Sequence, residues 1–214
     1  MAADHARENT MLDESLDAAA LRDLYGEPGE LAARKVLTRL DGHCRRFIEL
    51  SPFLVLGTSD AQGRQDVSPR GDRPGFVRVL GERVLLVPDR PGNRRVDSLA
   101  NVVEHPEVGM LFLIPGVDET LRVNGRGRVT RDTALLEPSA VNGRVPVSGL
   151  LVEVREAFLH CGKALIRARL WDPASRIERK ALPTLGRMIA DQIAGVELER
   201  AEEAVATSYR DTLY

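Results

Sequence analysis

The sequence predicts an α+β chain whose middle forms an antiparallel β-barrel or β-sandwich, with helices before and after it. Three observations predict this. Short strand-like runs follow one another between residues 53 and 159, several joined by hairpin turns. A single amphipathic stretch interrupts them, which does not fit the regular strand–helix alternation of a doubly wound sheet. On either side of that region, apolar residues recur at the helical period instead.

Residues 13–50 read as helix, because Leu31, Val36, Leu37, Leu40, Cys44, Phe47, Ile48 and Leu50 fall at spacings compatible with one apolar stripe. Gly26, Pro28 and Gly29 punctuate before that stripe, Asp41-Gly42 is a candidate bend, and Ser51-Pro52 ends it. Strands are expected at 53–58, 64–68, 76–80, 83–87, 108–114, 120–130 and 150–159, with turns at Asp60-Ala61-Gln62-Gly63 and Leu80-Gly81-Glu82. The interrupting helix spans 94–103 and stops at His105-Pro106. Beyond the strands, 164–170, 185–194 and 196–206 read as helices, the last two as a pair. The expected organisation is one domain in three parts: a helical extension at 1–50, the β domain at 51–172 and a helical segment at 173–214.

Composition narrows the function classes. Lys+Arg 30 against Asp+Glu 32 leaves a net charge of -2, so no basic surface for nucleic acid is expected. The longest apolar run, 108–114, is far short of the roughly 20 residues a bilayer requires, so no membrane partner is expected. The first residues are acidic and lack the apolar core of a secretion signal, and the two cysteines, Cys44 and Cys161, stand far apart. Together these point to a reducing cytoplasm. Of the 30 basic residues all but Lys35, Lys163 and Lys180 are arginine, so only clustered arginines carry weight.

Familiar site signatures are missing. There is no GxGxxG and no GxxxxGK[ST] loop. His5, His43, His105 and His160 have no spacing that would set two on one helical face, so no metal is expected. His160 and Cys161 are neighbours and would point to opposite faces of a strand, a poor geometry for a nucleophile pair.

One segment stands out, running from Pro88-Asp89-Arg90-Pro91-Gly92 through Asn93-Arg94-Arg95 to Ser98. It follows a strand, turns on Pro91-Gly92 and opens a helix for which Asn93 is the expected N-cap. Free N–H groups at a helix start and two guanidinium forks suit a phosphate monoester. A solvated, capped helix start with two exposed arginines fits the local pattern as well, and the local pattern alone leaves both readings open.

Over residues 51–172 the chain resembles the pyridoxamine 5'-phosphate oxidase-related FMN-binding proteins. The stretches that carry the resemblance are SPFLVLGTSDAQGRQDVSPRGDRPGFV, LLVPDRPGNRRVDSLANVVEHPEVGMLFLIPG, ETLRVNGRGRV and HCGKALIRARLW, in that order and spacing. The resemblance implies a split β-barrel, FMN as cofactor, and a homodimer whose flavin site takes residues from two chains. It makes Asn93, Arg94 and Arg95 the phosphate clamp. It sets the strand carrying Val67, Ser68 and Arg70 along the isoalloxazine, with Val87 and Pro88 lining the ring from the next strand. Thr120 falls where the true oxidases carry a glutamine near the ring, and Thr120, Arg122 and Asn124 share one strand face, opposite Leu121 and Val123. Arg122 reads equally as a surface ion-pair residue. Lys163 and Arg167, four apart, would stabilise negative charge on the reduced flavin if that piece is helical. Trp171 reads as a core or interface aromatic and Cys161 as a small buried hydrophobe.

The Arg-Leu-His type of substrate motif that ends the true oxidases has no counterpart in Ala206-Thr207-Ser208-Tyr209-Arg210-Asp211-Thr212-Leu213-Tyr214. Oxidation of pyridoxamine phosphate is therefore not expected. The function implied is an FMN-dependent oxidoreductase acting on a small, anionic molecule, with a nicotinamide cofactor or a partner reductase as electron donor. The flavin does the chemistry, so no side chain is named as acid or base. The other class is a non-enzymatic binder of flavin or haem, for storage or sensing, with His160 as the one histidine in a plausible pocket segment to ligate iron.

Overall fold

The structure, a computed structural model, describes residues 16–214. The acidic first residues, His5 and the expected helix at 13–15 lie outside the described residues.

Two compact units make up the chain, divided between Val36 and Leu37. In the first, α1 (Ala18–Tyr25) is capped by the Asp17 side chain, which accepts from the Ala20 N–H. Gly26, at φ +69°, ends it, and α2 (Glu30–Arg34) follows with an Arg34–Glu30 ion pair at 2.6 Å. The helical segment expected over 13–50 is thus interrupted where Gly26, Pro28 and Gly29 punctuate it. The glycine takes a positive φ that other residues rarely adopt, and the chain leaves the helix there.

The second unit, Leu37–Tyr214, carries the barrel. It begins well before the expected boundary at residue 51, and the reason is packing. Leu37 exchanges backbone hydrogen bonds with Ala157 at 2.9 and 2.8 Å, and Leu40, Cys44, Phe47 and Ile48 join the main hydrophobic core. Asp41 is the start of a helix rather than a bend: its carboxylate accepts from the Cys44 N–H at 2.8 Å and caps α3 (Gly42–Leu50). That hydrogen bond holds the Asp41 carboxyl below its usual range.

Seven antiparallel strands form one sheet: β1 (Phe53–Ser59), β2 (Gln65–Gly71), β3 (Arg78–Val79), β4 (Val84–Pro88), β5 (Glu107–Leu113), β6 (Thr120–Thr130) and β7 (Gly149–His160). Their spatial order is β2-β1-β5-β6-β7-β4-β3. The β1–β2 hairpin turns where expected. Asp60 and Arg64 close it backbone to backbone at 3.0 Å, Gly63 takes φ +77°, and the Asp60 carboxylate accepts from the Gln62 and Arg64 amides.

The inward faces alternate as a barrel requires. Leu54 and Leu56, Val108, Met110 and Phe112, Leu121 and Val123, Val152 and Val154, with Leu85 and Val87, are buried in one cluster. A bulge between Asn124 and Gly125 shifts the β6–β7 register, and a Cβ at Gly125 would run into the Glu153 carbonyl, so only glycine fits there. The predicted strand at 76–80 shrinks to two residues, because Phe76 and Val77 are buried within the loop that leads into it.

Helix α4 (Asp97–Glu104) crosses between β4 and β5, and α5 (Thr133–Leu136) lies between β6 and β7. After β7 come α6 (Lys163–Ala168), α7 (Leu185–Gln192) and α8 (Leu198–Asp211). The last two pack as the expected pair, with Gly186 so close to Glu202 that no side chain would fit. The fold is a split β-barrel of α+β class. Its sheet curls until the edge strand β2 approaches the end of β4, which β3 flanks over only two residues, and the described bonds across that seam are made by side chains.

Candidate functional site

At the seam some of the sequence-predicted residues converge. Along β2 the half-buried residues are Asp66, Ser68 and Arg70, while Val67 points the other way and is 67% exposed. Of the three expected site residues on this strand, the fold therefore brings Ser68 and Arg70 to one face and sets Val67 on the other. Arg70 reaches across to Asp89, just beyond β4, with Nη1–Oδ1 at 3.2 Å. Two residues on, the polarity reverses: Arg90 Nε donates to Asp72 Oδ2 at 2.6 Å and Arg90 Nη1 to the Ser139 carbonyl at 2.9 Å.

Arg70, Val87 and Pro88 line one small cavity together with Leu56, Asp89, Leu99 and Leu150. It measures about 10 Å³, room for a single water. Arg70 Nε is buried there with no acceptor among the described residues. Buried donors are ordinarily satisfied, so an unpaired one at a seam is what an acceptor-bearing ligand would complete.

The phosphate-clamp segment differs in detail from expectation. Asn93 is not the N-cap. The helix starts at Asp97, with Val96 as its N-cap residue at φ +54° and Arg94 also left-handed at φ +60°. The Asn93 side chain instead accepts from the Arg95 N–H at 3.1 Å, closing a local turn that keeps these residues out of the helix. Two non-glycine residues in this region, one of them β-branched, make a strained loop of a kind found at ligand clamps. Arg95 pairs with Asp97 at 2.6 Å, which holds it more firmly protonated, with a smaller contribution from Asp66. Arg94 has no hydrogen bond or ion pair among the described residues. The buried Ser98 hydroxyl donates to Asp66 Oδ2 at 2.8 Å and Asn101 donates to Thr58 at 3.1 Å, which ties α4 and its loop to β2 and β1.

The remaining predicted residues lie elsewhere. Thr120 opens β6 opposite His160, and Arg122 stacks on Phe158 with its guanidinium carbon 5.3 Å from the ring centroid. Thr120 is buried and Arg122 exposed. Lys163 and Arg167 fall four apart on α6 as expected, both exposed and without a hydrogen bond or ion pair among the described residues. Arg122 shares a cross-sheet row with Leu111, Val55 and Pro69. That sets it three strand spacings, about 14 Å, from β2. The fold therefore leaves the predicted residues in separate groups: Ser68, Arg70, Val87 and Pro88 at the seam, the 93–95 loop ahead of α4, and Thr120, Arg122, Lys163 and Arg167 elsewhere.

The outer sheet face carries an open groove of about 560 Å³ over Gly57, Gly109, Asn124 and Glu156, with Gln65, Glu107 and Arg155 at its margins. The two glycines face each other in the β1–β5 ladder and leave the strip bare of side chains. At its edge Ser59 Oγ lies 2.6 Å from His105 Nδ1. Cys161 is exposed rather than buried, because it sits in the turn leaving β7. Trp171 donates its indole N–H to the Val117 carbonyl at 2.9 Å. Among the described residues no group of three or more His, Cys, Asp or Glu could hold a metal ion, and no helix is long and apolar enough to cross a membrane.

Sequence reasoning missed Asp89, Asp72, Arg90 and Tyr214. The pairing takes Arg70 to Asp89 and Asp72 to Arg90, so it is written in neither segment alone and only the meeting of β2 with the end of β4 reveals it.

Comparison with known proteins bears on the same stretch. The family model described as pyridoxamine 5'-phosphate oxidase matches residues 40–160, more than half of the chain and including α3. No curated protein matches. Among solved structures, HupZ of Group A Streptococcus is 14% identical, with TM-score 0.46 over 56% of this chain and 93% of that one. A putative pyridoxamine 5'-phosphate oxidase of Lactobacillus delbrueckii is 17% identical, with TM-score 0.44 over 57% and 95%. An FMN-binding protein of Syntrophomonas wolfei is 12% identical, with TM-score 0.43 over 55% and 83%. Likenesses this distant say nothing of ligand or activity.

Proposed function

Because the chain belongs to the pyridoxamine 5'-phosphate oxidase family, we propose that it binds FMN at the β2–β4 seam and acts as an oxidoreductase on a small anionic molecule. The family match carries this reading, and the unpaired Arg70 Nε is the feature of the site that fits it. Arg94 and Arg95 supply two guanidinium forks for the phosphate, Arg94 free of any partner among the described residues. Ser68 and Arg70 present a hydroxyl and a buried donor along β2, and Val87 with Pro88 supplies an apolar wall opposite. Asp89 holds the Arg70 guanidinium in place, so its Nε is aimed before a ligand arrives.

FMN, when bound, supplies hydride and electron transfer at its ring. The chain supplies position, charge and exclusion of water. Thr120, Arg122, Lys163 and Arg167 fall outside the seam cluster, Arg122 three strand spacings from β2 along the sheet, so in this reading a second copy brings its own set to the ligand. The reading is therefore a homodimer joined across the outer sheet face, where Leu111 and Phe158 flank Arg122 and Val55 lies one strand beyond. Arg122, Lys163 and Arg167 make that set cationic, which favours a substrate bearing a carboxylate or phosphate. A nicotinamide cofactor or partner reductase is the electron donor in this reading, and the substrate is not pyridoxamine phosphate.

An absorption spectrum of the protein as purified tests it. Flavin bands, or their appearance on adding FMN, are expected. A Soret band, or no uptake of FMN at all, refutes the reading.

A further inference from the structure

The charge-paired seam has one participant from far along the chain. Asp72, at the end of β2, has a side chain 2% exposed and receives three hydrogen bonds. They come from the Arg73 N–H at 2.7 Å, from Arg90 Nε at 2.6 Å and from the Tyr214 hydroxyl at 3.0 Å. Tyr214 lies three residues beyond α8 and 142 positions from Asp72. Its carbonyl in turn accepts from Arg144 Nη1 at 2.7 Å. Three separate segments thus meet on one buried carboxylate, the ends of β2 and β4 and Tyr214, and the 139–144 loop braces two of the donors through Ser139 and Arg144.

A sheet edge joined by ladder hydrogen bonds opens only cooperatively. The β2–β4 seam is held by individual side-chain bonds, and such places are where local opening is cheapest. Arg70–Asp89 is one tie and Asp72–Arg90 the other. A buried carboxylate that loses one of its donors is left under-satisfied, so the closed form of the seam depends on the phenol as well as on the arginine.

We propose that Tyr214 is a latch: its hydroxyl, bonded to Asp72, holds the Asp72–Arg90 tie shut and sets the rate at which the seam opens to admit or release a ligand at Arg70. The consequence for ligand exchange rests on the seam being the binding site, as proposed above; the latch itself rests on the contacts. Asp72 holds the Tyr214 phenol above its ordinary range, while Arg73 and Arg90 pull it the other way, so the hydroxyl stays a donor through neutral and mildly alkaline pH.

Hydrogen–deuterium exchange on the full chain, compared between wild type and Tyr214→Phe, is the test. Loss of a hydrogen bond to a charged group predicts exchange about tenfold faster in peptides covering 66–73 and 88–92, with β5 and β6 peptides unchanged as the control. Arg144→Ala, which frees the Tyr214 carbonyl, should give a smaller effect in the same peptides. Unchanged exchange at the seam in Tyr214→Phe overturns the latch. FMN dissociation, followed by fluorescence, should quicken in Tyr214→Phe by a similar factor. Faster seam exchange with unaltered FMN release overturns the link to ligand exchange. A wild-type chain that takes up no FMN refutes the functional reading, and the exchange measurement still decides on the latch.

Discussion

Replacing Arg90 with alanine is the most direct probe of the seam. Arg90 Nε lies 2.6 Å from Asp72 Oδ2, the arginine side chain is 18% exposed and the aspartate 2%, so solvent screens this pair little. Removing one member of a buried pair leaves the other charge uncompensated, which typically costs about 3–5 kcal/mol. Asp72 keeps the Arg73 N–H and the Tyr214 hydroxyl, each a real donor to a carboxylate, so the loss here falls toward the lower end. The Ser139 carbonyl also loses its arginine donor, a modest further cost. We expect Arg90→Ala to lower the unfolding free energy by about 3 kcal/mol, read as a shift in urea midpoint at constant slope. Adding Asp72→Asn removes the stranded charge and should recover part of that loss, giving a coupling energy of about 1–3 kcal/mol between the two positions. A loss below about 0.5 kcal/mol, or strict additivity in the double variant, would refute the claim that this pair closes the barrel.

Three further outcomes are expected. Arg94→Ala with Arg95→Ala should weaken FMN binding by about 2–4 kcal/mol in a fluorescence titration, since charge-assisted hydrogen bonds contribute about 1.5–3 each and both arginines start solvated; unchanged affinity would set the phosphate elsewhere. Light scattering at micromolar concentration should give a dimer, and Arg122→Glu, which reverses a charge on the outer sheet face, should shift it toward monomer; a monomer that still binds FMN tightly would rule out the two-chain site. Of the two thiols, exposed Cys161 should be alkylated rapidly near pH 8, while Cys44 resists, because burial and the neighbouring Asp41 push its thiol up to about 11. Cys44 is an acid whose folded value is raised, so its contribution to stability is complete below the ordinary thiol range and fades as pH rises from there toward 11. Equal labelling of both cysteines, or stability unchanged across that range, would contradict its burial.

Much of the barrel was legible because a strand writes its own pattern. Leu121 and Val123 alternate with Arg122 and Asn124, and the structure buries the first two. Asp60 and Gly63 announce a hairpin through local hydrogen bonding and a positive φ, both decided within a few residues. Failures came where a local signal competed with a distant one. Asn93 carries a good N-cap side chain, yet spends it on the Arg95 amide, and the helix waits until Asp97. Residues 40–50 read as an appendage, yet the barrel needs Phe47 and Ile48 to fill its core.

By itself, then, the sequence determined the strand and helix pattern, the inward and outward faces, and through family resemblance the class of protein. Those properties follow from neighbours along the chain, where side-chain alternation and turn chemistry act over a handful of residues. Only the tertiary structure decided that β2 meets β4, that Arg70 finds Asp89 and Asp72 finds both Arg90 and Tyr214. It also decided that Arg122 stands three strand spacings, about 14 Å along the sheet, from β2. Which edges meet depends on how far a twisted sheet curls before it is tied, and that curl is a property of all seven strands together.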